Sequence, residues 1–252
     1  GHAARTAVQS VRLASHGFTG GADALTVPYG FTRLYAAGEA DPALFALPAA
    51  GDTLAVDTVG VNVKKYPMCY AAHRAVDAML ALRQEHALRP EQVAAIDVES
   101  SAAGHGPLVH HKPQTPNEAM FSMEYGMAAA LVDGRMGCTS FTDAALARAP
   151  ITQLMTRVTL REVDGPIMPP WSRVRVTTTN GHVIERRVDT VLGSREQPLG
   201  DADLLAKLGD CLAYAGRGGD AQQLIDVVMS LPTTSIRALR ASSAWQEMIG
   251  AA

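Results

Sequence analysis

Within Lys64-Lys65-Tyr66-Pro67-Met68-Cys69-Tyr70-Ala71-Ala72-His73 the chain gathers two ammonium groups, a proline, a thiol and an imidazole. Ammonium groups hold carboxylate or phosphate, and an imidazole near its ordinary pKa moves protons at neutral pH. Pro67 disfavours a helical backbone at Tyr66, which puts the lysines on an extended or loop segment. The run from Ala71 to Leu82 predicts an amphipathic helix with Ala72, Val76, Met79 and Leu80 on one face. Cys69 and His73 are four residues apart on its first turns and project the same way. Free N–H groups at a helix start attract anions, and flanking lysines add charge. The segment reads as a carboxylate or phosphate cradle with an acid/base candidate beside it.

Each of these residues has a plainer reading. His73 can be a capping or core histidine bonded to Asp77, four residues on. Strand alternation would turn Lys64 and Lys65 to opposite faces, leaving one of them solvated. Lys65, next to Tyr66-Pro67, is the favoured ligand, with Lys64 the alternative. Cys69 fits a small buried apolar side chain as well as a reactive thiol. Tyr125 lies in a nearly all-apolar run, so its hydroxyl needs either a backbone carbonyl or a substrate group. His105, His110 and His111 match no standard metal spacing and are expected on the surface. Ser122 lacks the Gly-x-Ser-x-Gly setting of a hydrolase nucleophile, and no glycine run has the phosphate-loop pattern.

The elements that must position these groups change texture along the chain. His2–Ser15 reads as a helix, and Asp41-Pro42 as the start of a short one. Val59, Val61 and Val63 alternate as in a strand, as do residues 93–99. Glu118–Val132 reads as a buried helix stopped by Asp133-Gly134, and Phe141–Arg148 as a short surface helix. Met155–Glu162 and Arg173–Thr179 are predicted strands, the latter joined to 183–188 by an Asn180-Gly181 hairpin. Helices return over 201–214, 221–231 and 235–245. The pattern is α+β, with a lid-like domain over 56–191 inserted between all-helical segments, 1–55 and 192–252.

Composition bounds the function. At 252 residues and 47% hydrophobic, the chain can bury substantial cores. Twenty-two Lys and Arg against 25 Asp and Glu, a net −3, leave no basic footprint for nucleic acid. No apolar run approaches the roughly 20 residues of a membrane span. Cys69, Cys138 and Cys211 have no paired spacing and suit a reducing compartment, so the expected location is the cytoplasm.

Three collinear motifs add a family. Gly-His-Ala-Ala-Arg…Leu-Ala-Ser-His-Gly-Phe-Thr-Gly at the start, Lys64 to Asp77, and Phe121 to Gly134 together resemble the MmgE/PrpD family. That family includes 2-methylcitrate dehydratase, cis-aconitate decarboxylase and an iminodisuccinate epimerase. The resemblance implies a helical domain and an α+β lid with the site between them. It also implies a homodimer, a small carboxylate substrate, and no metal or cofactor. It places the chain as the C-terminal portion of such a protein, without the N-terminal helical part that carries further acid/base residues. By position, Lys64 or Lys65 matches the family lysine, Cys69 stands where a histidine is found, and His73 and Tyr125 match a histidine and a tyrosine. The implied catalytic set is His73, Tyr125 and Cys69, with Lys64 and Lys65 binding substrate. The implied activity is a carbon–oxygen lyase of the 2-methylcitrate dehydratase type. An epimerase or isomerase, a decarboxylase, and a non-catalytic binding or dimerisation remnant are the alternatives.

Overall fold

The computed structural model describes residues 1–25, 27–36, 49–217, 220–230, 233, 235–243 and 245–246. The expected helix start at Asp41-Pro42 lies outside them. The chain divides into two compact units, Gly1–Thr58 and Val59–Ala252. The first holds α1 (His2–Ser15), α2 (Phe31–Tyr35) and α3 (Ala55–Thr58). Helix α1 buries no residue, so its apolar side chains Val8, Val11 and Leu13 stand exposed.

The second unit is α+β. Among the described residues its strands are β1 (Val93–Ser101), β2 (Val158–Val163), β3 (Ser172–Thr178) and β4 (Val183–Val188), in the order β2-β1-β3-β4. Strands β1 and β2 run parallel, and the other two pairings are antiparallel. The parallel pair requires a crossover. That crossover carries α5 (Pro116–Ala119), α6 (Met123–Asp133), α7 (Asp143–Leu146) and α8 (Ala149–Met155). The β3–β4 hairpin closes through Gly181 at φ +85°, a backbone that glycine adopts without steric cost. The side chain of Asn180 accepts the His182 N–H at 3.3 Å.

Period-two alternation gives the sheet two unlike faces. Ile96, Val98, Val174 and Val176 are wholly buried under α4 (His73–Glu85) and α6. On the opposite face Glu99 lies across from Arg173 on one side and Arg161 on the other, and bonds both. Helix α6 is almost entirely buried. Ser122 caps it by accepting the Tyr125 N–H at 3.2 Å, and Gly134 ends it at φ +67°. A Cβ on Gly126 would sit 3.0 Å from Met68 Cε, so the small residue lets α6 close against the turn that precedes α4. The C-terminal part carries α9 (Asp201–Tyr214), α10 (Ala221–Met229) and α11 (Ile236–Ala241). Leu212 of α9 packs on Leu224 of α10.

Three local expectations need correction. Residues 59–63 do not form a strand: Val63 N–H reaches Gly193 O at 2.8 Å, but no ladder follows. Val59 and Val61 are 74% and 66% exposed, so their alternation has no sheet to serve. The apolar run from Glu118 is two helices, because Ser122 leaves the helix to act as a cap. Met155 ends α8, and the strand expected there starts at Val158. No helix among the described residues is long and apolar enough to cross a membrane.

Candidate functional site

The turn between Val63 and α4 is fixed by its own backbone and by one aromatic–acid pair. Cys69 N–H donates to Met120 O at 2.8 Å, and Ala72 N–H to Cys69 O at 3.1 Å. Tyr66, 4% exposed, donates its hydroxyl to Asp77 Oδ1 at 2.6 Å. Asp77 Oδ2 also accepts Leu192 N–H at 3.3 Å. Burial, then the Asp77 charge, pushes the Tyr66 hydroxyl far up, so it stays a donor. Asp77 is therefore the partner of Tyr66, and the His73–Asp77 bond of the plainer reading does not form.

His73 opens α4, following a 3₁₀ turn over Tyr70–Ala72. It is fully buried, and its ring lies 5.1 Å from that of Tyr66 and 5.0 Å from that of Tyr70. Nε2 lies 3.3 Å from Met68 O. A carbonyl only accepts, so this bond places the proton on Nε2 and leaves Nδ1 as a lone pair. Nδ1 has no protein partner. Burial first, with Lys64 and Lys207 also acting, brings the imidazole down to about 4, despite the opposing bonds to the Met68 and Tyr66 backbone. At neutral pH the ring is uncharged.

The cations converge from two distant segments. Lys64 is exposed and Lys65 half-buried. Lys65 Nζ lies 3.0 Å from Asp203 Oδ1 and 5.9 Å from the Tyr66 ring centre. Helix α9 supplies Asp203 and, one turn on, half-buried Lys207, whose charge reaches His73 as that of Lys64 does. The chain has four lysines, at 64, 65, 112 and 207, and three of them meet here; its other basic side chains are arginines. Lys207 and Asp203 carry no local signal in the sequence. They lie more than 130 residues beyond Lys65 and read simply as polar positions of an amphipathic helix. The Cys69 and Ala72 N–H groups are already bonded, so they add nothing to an anion site here.

The other expected site residues, Tyr125 and Cys69, are taken up by contacts within the protein. Tyr125 is fully buried and donates its hydroxyl to the Ser140 carbonyl, with Phe141 5.6 Å away ring to ring. Burial pushes that hydroxyl up to about 12, and the charges nearest it are Arg148 and Asp133. No hydrogen bond, ion pair or ring contact joins it to Lys64, Lys65 or His73. Cys69 is half-buried, starts the 3₁₀ turn and packs against the core. His111 Nδ1 lies 2.7 Å from the buried Glu124 carboxylate. His105, expected on the surface, is half-buried with Nε2 unpartnered.

A cleft of about 680 Å³ runs between α4 and β4 and touches Lys65, Tyr66 and Asp77. Of its arginines, Arg186 pairs with Glu85 and Arg187 with Asp189, while Arg83 donates to Leu131 O at 2.7 Å.

Residues 66–233 match the MmgE/PrpD C-terminal domain, a span that starts directly after Lys65. The chain is 25% identical over 239 residues to cis-aconitate decarboxylase of Homo sapiens, covering 92% of this chain and 49% of that protein. It is 27% identical over 218 residues to cis-aconitate decarboxylase of Mus musculus, covering 82% of this chain and 43% of that one. The chain thus spans about half the length of the curated relatives it matches.

Proposed function

This chain belongs to the MmgE/PrpD family, and from that membership we propose that it supplies the carboxylate-binding wall of a lyase for a small di- or tricarboxylate. The observation that carries the reading is a neutral, buried His73 under the charges of Lys64 and Lys207, with Lys65 bridged to Asp203 one turn before Lys207. Removing a proton from carbon beside a carboxylate builds negative charge on that carboxylate, and fixed cations stabilise the charge as it develops. Lys64, Lys65 and Lys207 would hold the carboxylates. Asp203 holds Lys65 in place until substrate competes for it. His73 is covered by its own chain, so its proposed part is positioning: it braces the lysine turn without adding a like charge. The proton-transferring partners would come from the helical part that the family resemblance implies. Lid insertion and a homodimer belong to this same reading.

The first reaction assigned is dehydration of a 2-methylcitrate-type hydroxy acid. There a base takes the carbon-bound proton, and the hydroxyl leaves as water with a proton from an acid. Decarboxylation is the second reading, favoured by the names of both curated relatives. In that case the carboxylate leaves as carbon dioxide and the electron pair left behind collects a proton on carbon. Calorimetric titration of the chain at low salt with citrate, cis-aconitate and acetate tests the shared premise. Tricarboxylates should bind, acetate should not, and Lys207→Ala should weaken binding about tenfold, roughly the 1.4 kcal/mol of one charge-assisted contact. Equal binding by wild type and a Lys65→Ala/Lys207→Ala double variant would refute the cradle. With binding established, product analysis on a protein that includes the helical part separates the two reactions by release of carbon dioxide.

A further inference from the structure

Beyond Lys207, helix α9 makes a second contact that the proposed function does not use. Asp210 and Cys211 meet the 3₁₀ turn Cys138–Ser140. Asp210 Oδ2 accepts the Cys138 N–H at 2.6 Å, and Arg135 Nη1 lies 3.8 Å from Oδ1. A Cβ on Gly137 would lie 2.8 Å from Asp210 Oδ1, so the glycine is what admits the carboxylate. Docked this way, the half-buried Cys138 thiol faces both the Asp210 carboxylate and the Cys211 thiol, while Cys211 itself is exposed. Cys211 is the more open of the two thiols, and Cys138 beside it is half-buried.

We propose that Cys138 and Cys211 form a dithiol–disulfide site, oxidised by low-molecular-weight disulfides such as oxidised glutathione. The exposed Cys211 thiolate attacks one sulfur of the small disulfide, giving a Cys211 mixed disulfide and one glutathione thiolate. The Cys138 thiol then loses its proton to solvent and attacks Cys211 Sγ. The protein disulfide forms as the mixed disulfide breaks and the second glutathione thiolate leaves. Two electrons pass from the protein thiols to the small disulfide, and each released thiolate takes a proton. Burial, Asp210 and Cys211 together hold the Cys138 thiol up at about 12, so the second step is the slow one and quickens as pH rises. The product ties α9, the helix that carries Asp203 and Lys207, covalently to the turn after α6 across a long loop of chain.

The test uses the whole chain in oxidised glutathione at pH 7 and pH 9, with alkylation, intact mass and peptide mapping. The expected product has lost two hydrogens, links Cys138 to Cys211, leaves Cys69 alkylated, and forms faster at pH 9. Cys138→Ser should stop at one glutathione on residue 211. The tied form should melt about 5–10 °C higher, the range expected for a long-loop disulfide in a chain of this size. Stable glutathionylation of Cys211 in the wild type with no internal link would overturn the proposal, as would a link involving Cys69. Reaction of Cys138 in a Cys211→Ser variant as fast as in the wild type would also overturn it, because the exposed thiol would then not be the entry point.

Discussion

His73 and Tyr125 are both buried polar rings in the same core, and the chain treats them oppositely. The Tyr125 hydroxyl is satisfied by the Ser140 carbonyl, and its nearest charges, Arg148 and Asp133, bond each other at 2.7 Å. His73 keeps one nitrogen without a protein partner, and the charges acting on it are those of Lys64 and Lys207. A buried polar group that its own backbone satisfies is a structural part. One left open beside cations costs stability, and such a cost is met with where a site is held ready for a ligand. Both residues fall in family motifs, and only their partners tell them apart.

Acid should break this comparison most forcefully. The His73 imidazole sits near 4 when folded against an ordinary 6.5, so the unfolded chain binds more protons between those values. Stability from this group is therefore complete above about pH 6.5 and lost as pH falls towards 4, by on the order of 3 kcal/mol. Urea unfolding at pH 7, 6, 5 and 4 should show that fall, and His73→Phe should flatten it. An unchanged slope in the variant would assign the acid sensitivity to other groups.

Tyr125→Phe should cost about 1–3 kcal/mol in the same assay, because the Ser140 carbonyl is left buried and unpaired. Tricarboxylate binding at the lysine cluster should be unaffected. Weakened binding with unchanged stability would return the tyrosine to the site. Lys65→Ala should do the reverse: about tenfold weaker binding, with less than about 1 kcal/mol of stability lost, since its bridge to Asp203 is partly exposed. Smallest of all, Cys69→Ala should change stability by less than about 1 kcal/mol and leave binding intact, as fits a packing thiol. A large loss of binding in that variant would make Cys69 a ligand.

Local patterns in the sequence carried much of the fold. The Asn180-Gly181 hairpin, the apolar helix ended by Gly134 and the start of α9 at Asp201 follow from turn chemistry and periodicity. Those are properties of neighbouring residues. The alternation at Val59, Val61 and Val63 is equally regular and yields no strand, because a strand exists only where another backbone pairs with it. Ser122 divides a run that looks continuous, since as a cap it satisfies an N–H that a longer helix would have bonded.

For the site, the lysine–tyrosine–proline turn and His73 were legible as chemistry, because residue types and spacing mark them. Their partners were not. Lys207 and Asp203 reach the turn only because α9 packs back across the unit, and Asp77 goes to Tyr66 because that hydroxyl is the donor within reach. The sequence determined which groups could bind an anion and which could move a proton. Tertiary packing decided which cations share one place, which ring nitrogen stays open, and that the Tyr125 hydroxyl is already taken. The reason is physical: charge, burial and hydrogen-bond distance are relations between segments far apart in the chain, and those relations exist only once the chain is folded.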